Sequence, residues 1–263
     1  MPRVEHLLRA TARAEARHFW FRGFRAFVTP LLRRASSGRP DVKLLDCGCG
    51  TGANVALLSQ FGQAHGFDLS AVGLRLGIEA GRTRLARASV TAVPFSSASF
   101  DIVTSFDVLY ALDEHDERTA LAEMLRVLKP DGTAIINVAA SEVLRGDHSV
   151  LSHEIRRYSR DDLRARLIGT GFTIERLTYT NATLFLPLAL VRSLQRRRGL
   201  KRESDREAQQ EISVPPAPIN ALMTGVMLLE SAWLRWFDAP FGSSLLCVAR
   251  KPLSPPPQRG HAS

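Results

Sequence analysis

The stretch Leu44-Leu45-Asp46-Cys47-Gly48-Cys49-Gly50-Thr51-Gly52 decides the fold. Apolar residues run into an acid, glycine then stands at every second position, and a helical pattern starts directly afterwards. Glycine allows a backbone to turn tightly and to approach a ligand closely. The stretch therefore predicts a strand, a ligand-binding loop and a helix, in that order.

Outward from this stretch, the sequence alternates between strand-like and helix-like segments. Short apolar runs are separated by segments with helical periodicity. The predicted strands are Val42–Cys47, Ala64–Asp68, Leu85–Val90, Phe100–Ser105, Thr133–Val138, Phe172–Tyr179 and Ser244–Arg250. Repeated strand–helix–strand units of this size predict a doubly wound α/β fold, in which helices cover both faces of a mostly parallel sheet.

The chain divides into four predicted parts. Residues 1–40 form an N-terminal helical cover, and residues 41–181 together with 243–251 form the α/β domain. Residues 182–242 form an inserted helical lid, and the Pro-rich residues 252–263 form a disordered tail.

Within the cover, apolar residues such as Trp20 and Phe24 recur at helical spacing, which predicts one helix over residues 4–28. Thr29-Pro30 then predicts the start of a second, short helix, because proline is common in a first helical turn.

The composition is that of a globular protein. Hydrophobic residues make up 45% of the chain and charged residues 23%, which excludes a disordered or collagen-like protein. No run of about 18 uncharged apolar residues predicts a membrane span, and we expect no secretory signal. Cys47, Cys49 and Cys247 are too few for a disulfide scaffold, and the first two lack the partner pair of a zinc site. We therefore expect a cytoplasmic protein without a metal.

The net charge of +9 is concentrated in two segments. Residues 1–40 hold nine arginines and two glutamates, and residues 190–202 hold six basic residues and no acid. The remaining residues therefore carry a small negative net charge. Because the basic charge is confined to these flanking segments, it argues against interpreting the whole protein as a nucleic-acid binder.

Two aspartates indicate the ligand of the glycine-rich loop. The glycines alone also fit a dinucleotide site, but Asp46 would repel a pyrophosphate and attract a cationic ligand. Asp68 follows 22 residues later at the end of the next predicted strand, where its carboxylate can bind a ribose diol. A charge-assisted hydrogen bond of this kind contributes about 1.5–3 kcal/mol.

With these motifs the sequence resembles the class I S-adenosylmethionine (SAM)-dependent methyltransferases of the bacterial small-molecule, methyltransferase-11-like type. The resemblance covers about residues 42–180 and includes the runs at 45–52, 66–70, 93–103 and 125–133. It implies a seven-stranded sheet whose last strand is antiparallel, and SAM as the cofactor. The residues that it implies as cofactor-binding are Asp46, Gly48, Cys49, Gly50, Gly52, Asp68, Leu69, Ser89, Val90 and Phe106.

The sequence departs from the family pattern in two motifs. Where many members have an aspartate that contacts the adenine amino group, this chain has Ser89, an uncharged acceptor. Where many members have Glu-His after the fourth strand, this chain has Tyr110 and Ala111, so a base at that strand end is lost.

A base for the reaction is predicted in the loop after the fifth strand, which carries Asn137. There His153 is the candidate catalytic residue, provided that it reaches a substrate hydroxyl. The alternative is a loop histidine that caps a helix or bonds Asp147.

The candidate substrate-binding residues are Trp20, Tyr110, Arg156, Arg157 and Tyr158. Paired arginines can clamp a carboxylate or phosphate. The alternatives are a core position for the tryptophan, a solvated surface position for at least one arginine, and a helix entry at the tyrosine.

The expected activity is methyl transfer by in-line displacement to a small or lipid-like metabolite, on oxygen or on carbon, and the expected partner is therefore a small anionic or lipophilic molecule. The alternatives are an RNA-directed methyltransferase that uses the basic flanks, an NAD(P)-dependent oxidoreductase and a SAM-binding protein without catalysis. The segment Leu184–Leu200, apolar and then basic, is also predicted to lie on an anionic membrane surface or to close over a lipophilic substrate. The alternative is a core helix with a solvated basic end.

Overall fold

The computed structural model describes residues 2–37, 39, 41–144, 154–197 and 212–253. At its centre is one seven-stranded sheet in the order β3-β2-β1-β4-β5-β7-β6. The strands are β1 Lys43–Cys47, β2 Gln63–Asp68, β3 Leu85–Arg87, β4 Phe100–Phe106, β5 Leu128–Ala139, β6 Thr173–Thr180 and β7 Ser244–Arg250. All pairs are parallel except those of β7, which runs antiparallel to both β5 and β6. The predicted fold is therefore confirmed.

Helices cover both faces of this sheet. They are α1 Pro2–Ala14, α2 Phe19–Ser36, α3 Ala53–Leu58, α4 Ala71–Glu79, α5 Glu114–Val127, α6 Arg160–Thr170, α7 Phe185–Arg197 and α8 Ala217–Trp233. Successive side chains of a strand point to opposite faces, so Leu44 and Leu45 of β1 enter different cores. Leu45 packs in the cluster supplied by α5 and α6, whereas Leu44 packs in the cluster supplied by α2, α3 and α8.

The N-terminal cover differs from the prediction in the position of its break. The first helix ends at Ala14, and His18 caps the second helix by accepting a hydrogen bond from the Trp20 amide on Nδ1, at 3.1 Å. The second helix then continues through Pro30, so the predicted helix start at Thr29-Pro30 is wrong.

A contact from the inserted segment explains why the helix continues through Pro30. Proline has no N–H, so the carbonyl four residues earlier, at Ala26, loses its helical donor. Ser231 of α8 donates its hydroxyl hydrogen to this carbonyl at 2.8 Å and replaces the lost bond. A residue about two hundred positions away thus satisfies the helix interior.

The inserted segment is helical where the structure describes it, in α7 and α8. Glu230, buried in α8, accepts hydrogen bonds from the amides of Ala182 and Thr183, just before α7 begins. The predicted basic run continues past Arg197 into residues 198–211, and most of the predicted disordered tail falls on residues 254–263. Both ranges lie outside the described residues. The predicted domain boundaries stay predictions. In the described part of the chain, none of the helices combines the length and apolar character needed to cross a membrane.

Candidate active site

Asp46 lies at the end of β1 and is a buried, incompletely paired carboxylate. Its side chain is almost wholly inaccessible to solvent. Thr104 of β4 donates its hydroxyl hydrogen to Oδ1 at 2.6 Å, whereas Oδ2 has no hydrogen-bond partner. Burial is the main cause that raises the pKa of this carboxyl to about 7, with a smaller contribution from repulsion by Asp68. A cation beside Oδ2 would offset both the burial of the ionised carboxylate and its repulsion by Asp68.

The glycine-rich loop follows Asp46 in a conformation that needs glycine. Gly48 has φ +80°, and a Cβ built at this residue would come within 2.4 Å of Val108 Cγ2. The amides of Gly48 and Cys49 donate to the Phe67 carbonyl at the end of β2, both at 2.9 Å. The loop is thereby held against the neighbouring strand.

Asp68 ends β2 and holds the other side of this loop. Oδ2 accepts the Gly50 amide hydrogen at 2.8 Å, and Oδ1 accepts that of Ser70 at 2.7 Å. An ionised carboxylate offers about four lone-pair sites, so each oxygen keeps an acceptor site after these bonds. The geometry leaves Asp68 able to bind a diol while it shapes the loop.

Comparisons with known proteins agree with this geometry. The sequence family described as "Methyltransferase domain" matches residues 45–136. The O-methyltransferase rstn1 of Aspergillus nomiae is 31% identical over 160 residues, which cover 55% of this chain and 70% of the relative. The chain belongs to the SAM-dependent methyltransferases.

A second relative and a solved structure are also similar to this chain. The ubiquinone/menaquinone biosynthesis C-methyltransferase UbiE of Shewanella sediminis is 26% identical over 187 residues, covering 57% of this chain and 72% of that one. The SAM-dependent methyltransferase from Mesorhizobium loti superposes with a TM-score of 0.53 at 17% identity, over 85% of this chain and 97% of that one. At this identity the second comparison concerns the fold alone.

The residues at this edge of the sheet fit SAM as the cofactor. The unpaired Oδ2 of Asp46 suits the ammonium of its amino-acid part, and Asp68 suits its ribose hydroxyls. Gly50 leaves the backbone open between the two carboxylates, because a Cβ at this residue would meet only Leu8 of α1, at 3.6 Å. When bound, SAM supplies a methyl group on a cationic sulfonium.

The other predicted cofactor residues surround this edge in different ways. Cys49 is buried, and burial raises the pKa of its thiol, so it acts as a small apolar residue. Leu69 is largely exposed directly after Asp68, which leaves an apolar side chain open to a ligand. Phe106 ends β4 and meets Phe24 of α2 edge-on, with 4.9 Å between ring centroids. The cofactor role of these residues stays a prediction.

Ser89 and Val90 lie in the turn after β3, half-buried. The Ser89 hydroxyl lies 2.8 Å from the Thr91 hydroxyl and accepts the Thr91 amide hydrogen at 3.2 Å. The oxygen that would contact adenine therefore already has local partners. An adenine contact at Ser89 stays a prediction.

Sequence reasoning missed a clamp that fastens the cover to the loop. Glu15, buried between α1 and α2, accepts the Thr51 hydroxyl hydrogen at 2.6 Å and pairs with Arg82. Arg82 also donates to the Thr51 carbonyl at 2.7 Å, and Arg25 donates to the Glu15 carbonyl at 2.8 Å. In the sequence, the one indication of this clamp was that Glu15 is an acid among several arginines.

A second missed pair lies at the ends of β4 and β5. Asp107 is exposed and has φ +60°, and its amide donates to the Asn137 carbonyl at 3.0 Å. The Asn137 side chain donates in return to the Asp107 carboxylate at 2.9 Å. Ligands of open α/β sheets bind beyond the carboxyl ends of the strands, so this carboxylate is placed on the substrate side. Aspartate is one of the non-glycine residues that adopt left-handed backbone most readily, but this preference alone did not single out Asp107.

The predicted substrate residues Arg156 and Tyr158 are engaged with a buried acid instead. Tyr158 donates its hydroxyl hydrogen to Glu117 at 2.8 Å, and Arg156 and Arg166 donate to the same carboxylate at 2.7 and 2.8 Å. Burial raises the pKa of Glu117, and burial together with the neighbouring Glu117 raises the pKa of Tyr158. With Tyr158 wholly buried, this network favours a structural role over substrate contact.

The remaining predicted residues take varied positions. Trp20 is half-buried against the core beneath α2, and the Tyr110 carbonyl accepts the Ile155 amide hydrogen at 2.9 Å. Arg157 donates to the Ala140 carbonyl at 2.9 Å and pairs with Glu154. Their substrate-binding roles stay predictions, and His153 lies outside the described residues. The described residues contain no metal-binding group of three or more histidines, cysteines or acids.

Proposed function

We propose that this methyltransferase modifies a hydroxyl oxygen or an acidic carbon of a small, lipid-like metabolite. The observation that carries the proposal is the apolar and aromatic character of the cover. Leu8 lies over Gly50, and Phe24 packs on Phe106 at the end of β4. Apolar walls with few polar groups are typical of small-molecule sites.

The arginines nearest the glycine-rich loop support a small acceptor over RNA. Arg25 of the cover and Arg82, which follows α4, donate to Glu15 and to Thr51. Guanidinium groups engaged in this way are not free to neutralise phosphates, on which nucleic-acid binding depends. The names of the relatives, which include O- and C-methyltransferases, support acceptors of either kind.

In the proposed reaction the chain contributes binding, water exclusion and one carboxylate on the acceptor side. Asp46 and Asp68 hold the cofactor, and the clamp at Glu15 keeps the cover closed over it. Asp107, oriented by Asn137, accepts a hydrogen bond from the acceptor and orients its nucleophilic atom. Positioning of this kind lowers a barrier by several kcal/mol, on the order of 10²-fold or more in rate.

The experiment is methyl transfer from isotope-labelled SAM to a bacterial extract separated into lipid, aqueous metabolite and RNA fractions. We expect label in the lipid fraction, identified by mass spectrometry, and a loss of roughly 10²-fold in rate for Asp107→Asn. Asp161→Asn, at the first turn of α6, is the matched surface control and keeps the rate. Label in RNA, or no transfer by protein that binds SAM, would contradict the proposal.

A further inference from the structure

Helix α8 of the inserted segment is inverted, with its polar side chains inside the protein. Asn220 bonds the Phe19 amide and the Arg17 carbonyl of the cover, at 2.9 Å each. Ser231 bonds the Ala26 carbonyl, and Glu230 bonds the chain before α7. These polar side chains of α8 therefore form hydrogen bonds with the rest of the molecule.

The opposite side of α8 faces solvent and is apolar. Its exposed large residues are Ile219, Leu222, Leu228, Leu229 and Trp233. Exposed apolar residues continue past the helix end with Trp236 and Phe237, and Trp236 is 83% exposed. A surface helix of a globular protein normally shows the reverse arrangement, so this side is built for contact with an apolar partner.

Helix α7 adds a second apolar side to the same surface. Leu186, Leu190 and Leu194 recur every four residues and are all exposed, as is Val191. Phe185, its first residue, meets Phe241 edge-on at 5.5 Å between centroids, so the chain after α8 returns to the start of α7. We call the exposed apolar residues of α7, α8 and 236–241 the apolar surface.

The sequence of these segments is more basic than acidic. Residues 182–197 and 212–241 contain two acids: Glu230, which is buried, and Asp238, which is exposed and pairs with Arg176. The same ranges contain Arg192, Arg196, Arg197 and Arg235, the last of them exposed between two exposed tryptophans. Tryptophan prefers the boundary between hydrocarbon and water, and arginine near that boundary is attracted by anionic lipid headgroups.

We propose that the apolar surface rests on an anionic lipid bilayer, with α7 and α8 lying in the interface plane. A second copy of the chain fits less well, because a two-fold contact would place this basic surface against itself. Apolar helices with arginines nearby in the sequence match an interfacial site, and the exposed acid of these segments, Asp238, is already paired with Arg176. The inference stands on the surface alone and does not depend on the proposed acceptor.

Co-sedimentation with vesicles tests this proposal. Protein is mixed with vesicles of phosphatidylcholine alone or of phosphatidylcholine with phosphatidylglycerol. We expect binding to the anionic vesicles, weakened by salt, with a blue shift of tryptophan emission. Leu222→Ser/Leu229→Ser should lower the partition coefficient by about tenfold or more. Ile78→Ser/Ile168→Ser, which changes two exposed isoleucines on α4 and α6, is the matched control and should bind like the parent.

Two double substitutions of arginine by glutamine test the contribution of charge to membrane binding. Arg196→Gln/Arg197→Gln should lose the preference for anionic vesicles, whereas Arg118→Gln/Arg164→Gln on α5 and α6 should keep it. Retained S-adenosylhomocysteine binding shows that each variant is folded. Equal binding by Leu222→Ser/Leu229→Ser and the parent would overturn the proposal. An absence of vesicle binding by the parent would also overturn the proposal. This includes the case in which the parent is a dimer and Leu222→Ser/Leu229→Ser makes it monomeric.

Discussion

Replacing Asp46 by asparagine should stabilise the ligand-free protein at neutral to alkaline pH while weakening cofactor binding. The carboxyl is buried with one oxygen unpaired, and its pKa is raised from 3.8 to about 7. A shift of three pH units corresponds to about 4 kcal/mol of unfavourable free energy for the ionised form in the native state. Asparagine removes the charge but leaves a buried amide, so we expect a gain of about 1–3 kcal/mol.

The pH dependence of this effect has a definite sign. Because the folded-state pKa lies above the unfolded value, the native protein keeps a proton that the unfolded chain releases as the pH rises from about 4 to about 7. The stability contributed by the protonated carboxyl is lost across that window. The difference between Asp46→Asn and the parent should therefore be small near pH 4, grow up to pH 7 and stay constant above it.

Two assays test this reasoning together. Urea unfolding of ligand-free protein at pH 5 and pH 8 gives the stability difference, and calorimetry with S-adenosylhomocysteine gives the affinity. The parent should bind more tightly at pH 8 than at pH 6, by about tenfold, because the ligand ammonium favours ionised Asp46; Asp46→Asn should show no such rise. Thr104→Val, which removes the donor to Oδ1, should destabilise the parent at pH 8 more than it destabilises Asp46→Asn.

Two results at pH 8 would contradict this role of Asp46: lower stability of Asp46→Asn than of the parent, or equal affinity of the two proteins for S-adenosylhomocysteine. The first result would mean that the ionised carboxylate is stabilised by its surroundings. The second would mean that the unpaired oxygen does not face the cofactor.

Three further changes address other parts of the molecule. Glu117→Ala leaves Tyr158, Arg156 and Arg166 without their shared acceptor and should lower the free energy of unfolding by about 3–5 kcal/mol in urea melts. Glu175→Ala, which breaks a half-exposed pair with Arg250, is its control and should change stability by about 1 kcal/mol at most; equal effects would contradict a buried network. Glu15→Gln weakens the clamp between the cover and Thr51 and should raise the dissociation rate of S-adenosylhomocysteine and the amide exchange of α1, seen by stopped flow and hydrogen exchange. An unchanged dissociation rate would exclude a role for the clamp in retaining the cofactor. Ser89→Asp restores the acid usual in the family and should tighten S-adenosylhomocysteine binding by up to about tenfold in calorimetry; weaker binding would place adenine away from this turn.

Local sequence signals were sufficient for the sheet and for the cofactor edge. Asp46, the loop glycines and Asp68 are linked through neighbouring parallel strands, so their proximity follows from the order of strand and helix. The antiparallel last strand followed from resemblance to the family, and its pairing with β5 and β6 confirms it.

The errors and omissions arose where distant segments meet. Pro30 indicated a helix start, because nothing near it in sequence shows that Ser231 replaces its missing bond. The shared contact of Arg156 and Tyr158 with Glu117 was not foreseen, because this acid lies about forty residues earlier in the sequence; their substrate-binding role stays a prediction. A short-range pattern gives the type of a polar side chain, but only tertiary packing decides which partner it meets.

SAM is expected to bind at the edge formed by Asp46, the glycine-rich loop and Asp68. Calorimetric titration of the purified protein with S-adenosylhomocysteine, beside folded Asp68→Ala protein, is the direct test of this binding. We expect one site per chain in the parent and a loss of affinity of about tenfold or more in the variant. No binding by the parent, or equal affinity in both proteins, would contradict it.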